Sequence, residues 1–281
     1  MYISTFELNS CGGCLESLLD VGERVLNYLS KHEVSNSSLV DASNIVPSDV
    51  ALVFGGIADS EDEKIAEEVS RATRKIIACG SCAVYGGIPA FGLNLRAGLE
   101  DLPRVFENAR PLDTCMTIEY YIPGCPPPSH IIFEVLKACV EGYSPIRFDF
   151  TVCAECGRRP TRKAPKSWSC STGGAPDMDL CLINHGLFCM GPVTRGGCHA
   201  ACPNKGAVCI GCRGPSDVVL SSEIHSVYSD FIHYLSSTTG IRSENAEKIM
   251  KDKYEFLYLF TRRDHFTRIR PREKMPSDFV G

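Results

Sequence analysis

Residues 49–80 read DVALVFGGIADSEDEKIAEEVSRATRKIIACG. The run Val50-Ala51-Leu52-Val53-Phe54 is short and wholly apolar, as suits a strand buried on both faces of a parallel sheet. A second such run, Ile76-Ile77-Ala78-Cys79, follows Lys75 and stops at Gly80. Between them, residues 60–74 are expected to be helical. Ser60 is placed to cap the helix, and Glu61, Asp62 and Glu63 fill the first turn, where carboxylates meet unpaired amides. Strand, helix, strand is the unit from which parallel α/β sheets are wound.

The pattern continues in both directions. Residues 1–8 alternate weakly and read as a strand. Leu15, Leu18, Val21, Val25 and Leu29 recur at helical spacing and predict one helix over 15–29. Residues 117–122 read as another strand. Pro126-Pro127-Pro128 then opens a helix over 129–140, since proline is tolerated at a helix start. Residues 1–150 are therefore expected to form one α/β domain on a doubly wound parallel sheet.

At 281 residues the chain is long enough to bury a real core. A net charge of −5 removes the electrostatic case for a general nucleic-acid binder. No run of 18 apolar residues spans a membrane, and no basic-then-apolar leader opens the chain, so a cytoplasmic protein is expected. The outlying number is 16 cysteines. Disulfide scaffolds are short and secreted, so thiols clustered in a chain of this kind point to metal.

Nine of those cysteines fall within the 60 residues 153–212, and none follows. Residues 151–215 are irregular, rich in Gly and Pro, and poor in large apolar side chains. Such a segment needs staples, which bound metal supplies. Residues 216–281 read as a helical extension, with helices over 217–235 and 243–259 and a basic tail over 262–274.

In the first domain, Cys11 and Cys14 follow a strand and precede a helix, whose positive end favours thiolates. Cys82 follows a second strand and Cys125 a third. Ligands of open α/β sheets gather at the carboxyl ends of the strands, so these four thiols are expected to meet on one rim. Leu15, Val84, Tyr85, Ile88 and Pro126 are expected to give that rim an apolar docking surface. Further on, Cys153, Cys156, Cys181, Cys189, Cys198, Cys202, Cys209 and Cys212 supply thiols for two more four-thiolate centres. Four thiolates suit Zn or a cubane iron–sulfur cluster alike.

Several stretches resemble the small, electron-transfer subunit of NiFe hydrogenases: CGGCLE at 11–16, GSCAVYGGIP at 80–89, PGCPP at 123–127, CLINHGLFCMGPVTRGGC at 181–198 and CIGCRG at 209–214. The resemblance implies a flavodoxin-like domain, then an irregular iron–sulfur domain. It implies three 4Fe-4S clusters: proximal on Cys11, Cys14, Cys82 and Cys125; distal on Cys153, Cys156, Cys181 and Cys189; medial on Cys198, Cys202, Cys209 and Cys212. Periplasmic members have His at the position of Cys153 and a non-cysteine at that of Cys202. The chain is thus most similar to the cytoplasmic, heterodisulfide-reductase-linked, methyl-viologen-reducing type. The resemblance also implies a large subunit that holds the NiFe site, and a downstream flavin or iron–sulfur acceptor. No residue set for chemistry on a substrate is evident, so no catalytic residue is expected here.

Two other readings stand beside this one: a cluster subunit of a complex-I-like oxidoreductase, and a Zn-stabilised interaction scaffold. Cys79, Cys115 and Cys139 are expected to be core residues. Cys170 is an alternative ligand in place of Cys181. Glu16 is a dipole partner of its helix or a docking residue, and His185 and His199 are not expected to be ligands.

Overall fold

The computed structural model describes residues 1–37, 45–90, 109–169, 171, 177–220, 227–251, 253, 257 and 259–261. The chain forms two compact units, one built on Met1–Arg147 and the other on Phe148–Leu259.

The first unit carries a parallel sheet of β1 (Tyr2–Glu7), β2 (Glu33–Asn36), β3 (Ser48–Phe54), β4 (Thr73–Cys79) and β5 (Tyr120–Ile122). The strand order is β2-β1-β3-β4-β5, the flavodoxin-like order of a doubly wound sheet. Val50, Ala51, Leu52, Val53 and Phe54 are all inaccessible, because β3 is a central strand whose faces are covered, Ala51 and Val53 by Ala66, Val69 and Ala83. Each large apolar side chain buried this way contributes roughly 2 kcal/mol. The helices of this unit are α1 (Gly13–Leu19), α2 (Glu23–Leu29), α3 (Ser60–Ala72), the short α4 (Ser81–Tyr85) and α5 (Gly87–Ala90), and α6 (Ser129–Glu141).

Two local expectations are corrected and one element is added. The single helix over 15–29 is two, because Gly22 takes φ +70° and ends the first run before α2 begins. The cap of α3 is Asp59, whose carboxylate accepts from the amides of Glu61 and Asp62 at 2.9 Å. Ser60 lies inside the helix. Edge strand β2 is an addition, since it has no apolar run of its own to announce it; its register is Tyr2↔Glu33 and Ile3↔Val34.

The second unit has little regular structure before α7 (Asp217–Leu220), α8 (Val227–Thr239) and α9 (Ser243–Met250). Its core joins Val152, Leu182, Ile183 and Phe188 to Phe231, Leu235, Ala246 and Met250. The helices after residue 216 therefore lend apolar surface to the cysteine-rich segment. The stretch 221–226 inside the expected helix over 217–235, most of the expected helix beyond Met250, Cys170 and the basic tail over 262–274 lie outside the described residues.

Candidate metal centres

The loops after β1, β4 and β5 are tied together at one rim of the sheet. Ser81 N donates to Gly124 O at 2.7 Å, and Gly124 N donates to Ser81 Oγ at 3.1 Å. Ser17 Oγ on α1 donates to Pro127 O at 2.6 Å. The loop after β3 contributes no thiol. Asn9 and Gly56 exchange two backbone bonds of 3.2 Å, and Ile57 and Arg110 exchange bonds of 3.0 and 2.9 Å. The first bridge closes the crevice between the ends of β1 and β3, where folds of this strand order receive flavin, and the second ties the loop after β3 to Arg110, ahead of β5.

The result is a cage of four thiols. Burial pushes Cys14 up to about 12, helped by the neighbouring Cys82, Cys125 and Cys11. Burial does the same to Cys82, also to about 12, with Cys125 and Cys11 adding to it. Cys11 and Cys125 are exposed, whereas Cys14 and Cys82 are half-buried, so the cage opens outward on one side. Gly80 makes room for it: a Cβ there would stand 2.5 Å from Cys14 Sγ, and the backbone has φ +100°. The expected apolar rim is only partly present. Leu15, Val84 and Tyr85 are buried in the core, while Ile88 and Pro126 are exposed. Helical periodicity turned those three side chains inward.

In the second unit one more group of four forms, and the remaining thiols form two pairs. Burial raises Cys153 to about 12, and Cys189, Cys181 and Cys156 add to it. Cys189 is raised to about 11 by burial, with Cys181 and Cys156 again contributing. Those four thiols form one group. Cys202 is raised by burial and by Cys198, and Cys209 by burial with contributions from Cys189 and Cys212. The structure thus pairs Cys198 with Cys202 and Cys209 with Cys212. It joins the groups through backbone: Cys209 N donates to Cys189 Sγ at 3.3 Å, and Met190 N to Cys209 O at 2.7 Å. A Cβ on Gly191 would lie 3.3 Å from Cys153 Sγ and 3.6 Å from Cys189 Sγ.

Three residues without a sequence signal hold this unit in shape. The buried Arg158 donates from Nε to Pro203 O at 2.9 Å and from Nη1 to Asp177 O and Leu180 O at 2.8 and 2.9 Å. Asn184 accepts from Thr161 N at 3.2 Å and donates to Lys163 O and Thr238 O at 2.8 and 3.1 Å. Tyr234, on α8, donates a hydrogen bond to Cys153, which works against the upward shift of that thiol.

The remaining singled-out residues are placed plainly. Cys79 and Cys139 are inaccessible core residues. Cys115 Sγ is half-buried, 3.7 Å from Glu63 Oε1. Glu16 is exposed on α1. His185 Nε2 is 3.2 Å from Asp177 O, and His199 Nδ1 is 3.7 Å from Glu155 Oε1.

The donor set suits iron–sulfur clusters. Buried thiols that raise one another keep their protons unless a cationic core replaces them. Four thiolates are a donor set for a cubane iron–sulfur cluster and for Zn alike.

Comparison with known proteins gives the family. The model described as NADH ubiquinone oxidoreductase, 20 Kd subunit, matches residues 11–139, which lie within the first unit. The relatives extend further. One of them, a subunit of the F420-non-reducing vhu hydrogenase of Methanococcus voltae, is 34% identical over 240 residues, covering 78% of this chain and 83% of its own. The chain belongs to the small-subunit family of NiFe hydrogenases. The delta component of sulfhydrogenase 2 from Pyrococcus furiosus is 30% identical over 223 residues, 77% of this chain and 87% of its own. A solved NAD+-reducing [NiFe]-hydrogenase in the H2-reduced state aligns over 52% of this chain and 94% of its own, at 27% identity and a TM-score of 0.47. As a hydrogenase small subunit, the protein is an iron–sulfur electron-transfer component of an oxidoreductase whose active site lies on another chain. Among its described residues no helix is long and apolar enough to cross a membrane.

Proposed function

We propose that this hydrogenase small subunit binds three 4Fe-4S clusters and conducts electrons from the NiFe site of a large subunit to a flavin or iron–sulfur partner in the cytoplasm. A heterodisulfide reductase complex is the kind of partner meant. The names of the relatives support an acceptor other than coenzyme F420. Cys11, Cys14, Cys82 and Cys125 hold the proximal cluster, Cys153, Cys156, Cys181 and Cys189 the distal one, and Cys198, Cys202, Cys209 and Cys212 the medial one. Bound there, the clusters supply one-electron carriers in series.

The observation that carries this reading is the grouping of thiols that are far apart in sequence: Cys11 with Cys125, and Cys153 with Cys189. The chain's own part is to strip water from the sulfurs, as the burial of Cys189 and Cys209 does, and to aim N–H groups at them, as Cys209 N does at Cys189. Both set a cluster's potential. The test is metal analysis of the anaerobically purified complex. The cubane count for this chain is about 12 Fe and about 12 acid-labile sulfides, beyond the iron of the large subunit. A colourless protein with stoichiometric Zn would end the reading in favour of a Zn scaffold.

A further inference from the structure

Charge is distributed unevenly along this chain. Residues 157–205 hold seven Lys and Arg against Asp177 and Asp179, a balance of +5, while the whole chain is −5; the remainder is therefore −10. Two of the seven cations are committed within the unit. Arg158 is buried among carbonyl groups, and Arg195 pairs with Asp217 at 2.5 Å. Arg159, Arg162, Lys163, Lys166 and Lys205 are exposed. The carboxylate of Asp177 is engaged by the amides of Asp179 and Leu180 at 2.8 and 3.3 Å.

Four of these charges sit on one loop, and the loop is fastened to the strip that carries Cys181 and Cys189. Cys181 N donates to Arg159 O at 3.0 Å, and Arg159 N to Asp179 O at 2.7 Å. Asn184 grips the backbone at Thr161 and Lys163. Ser169 N donates to Gly186 O at 2.8 Å, and Trp168 stacks on Phe188 with ring centroids 5.2 Å apart. The loop that carries the cations thus runs beside the strip that holds Cys181, and its Arg159 follows Cys156 by three residues; both cysteines are partly exposed.

We propose that this exposed loop, with Arg159, Arg162, Lys163 and Lys166 running beside Cys156 and Cys181, is the docking site of the electron acceptor, and that the acceptor is a protein with an acidic surface around its own redox centre. The inference rests on the reading of the second thiol group as the distal cluster. Apart from the basic tail over 262–274, the rest of the chain is acidic and repels an acidic partner, so the charge pattern draws such a partner here with its redox centre toward the cluster. A basic carrier would be drawn to the wrong faces.

The test uses the purified complex with its large subunit, dihydrogen as donor, and three acceptors: methyl viologen, an acidic [2Fe–2S] ferredoxin and a basic c-type cytochrome. The unaltered complex should reduce ferredoxin in preference to the cytochrome, with kcat/KM falling as salt rises. The triple variant Arg162→Glu, Lys163→Glu, Lys166→Glu should lose more than about tenfold in kcat/KM for ferredoxin at low salt and gain for the cytochrome. Its dye reduction should be unchanged. If charge reversal lowers dye reduction as well, the Gln triple variant at the same positions decides, with a smaller loss for ferredoxin and dye reduction intact. Dye reduction intact with ferredoxin reduction and its salt dependence unmoved overturns the docking proposal alone. An unaltered complex that passes electrons from dihydrogen to none of the acceptors overturns the conduit reading with it.

Discussion

Single residues decide how each thiol group behaves. Tyr234 is the example that sequence inspection misses, since it reaches Cys153 from a helix 81 positions later in the chain. An O–H donor stabilises sulfur most when the cluster is reduced and more negative, so it raises the potential. Tyr234→Phe is expected to lower the potential of the cluster on Cys153. About 1 kcal/mol of differential bonding corresponds to roughly 40 mV for one electron. A redox titration followed by electron paramagnetic resonance reads the shift, and an unmoved midpoint would remove Tyr234 from the groups that tune this cluster. The choice between Cys181 and Cys170 is also a residue-scale question. Burial and the neighbouring Cys156 raise Cys181, which places it with the second group. Cys181→Ala should therefore abolish one cluster signal, and Cys170→Ala should leave all signals in place. The reverse pair of outcomes would transfer the ligand to Cys170.

At the scale of elements, what was legible in the sequence was whatever depends on neighbours along the chain. The apolar runs of β3 and β4, the acidic first turn of α3 and the proline start of α6 all depend on local pattern. Cysteine spacing was legible because thiols are scarce and their pairing in Cys-x-x-Cys is local. Strand β2 was not, because its only reason to be a strand is the exposed edge of β1. Arg158 was not, because a cation next to a cysteine pair reads as solvated surface until chain reversal brings three carbonyl groups around it. Those bonds join the segments that carry Cys156, Cys181 and Cys202. Arg158→Met strips a charged donor from buried acceptors, and the second unit should lose roughly 3 kcal/mol of stability. The measurement is the temperature at which the brown absorption bleaches under anaerobic heating. Bleaching at the unaltered temperature would show that bound clusters alone hold these loops.

At the scale of the whole molecule, the two units meet opposite demands. The second unit is expected to face an acceptor, and the first a large subunit that covers the opening of its thiol cage, where Cys11 and Cys125 are exposed. A permanent partner of that kind typically buries roughly 2,000 Å² or more. The buried position of Leu15 changes how this is tested. A charge at Leu15 would enter the core of the first unit, so its effect on assembly could not be separated from unfolding. Ile88 is the better probe, being 39% exposed on α5. Its neighbour Gly87 packs so close to the cage that a Cβ there would stand 2.8 Å from Cys82 Sγ. Ile88→Glu keeps the core intact and puts a carboxylate at the expected apolar contact, where desolvation without a partner costs several kcal/mol. The substituted chain should fold with its clusters, judged by an unchanged visible spectrum, yet fail to co-purify with its large subunit and lose dihydrogen-dependent dye reduction. Co-purification at full activity would mean that the large subunit approaches the cage from a side that does not include α5.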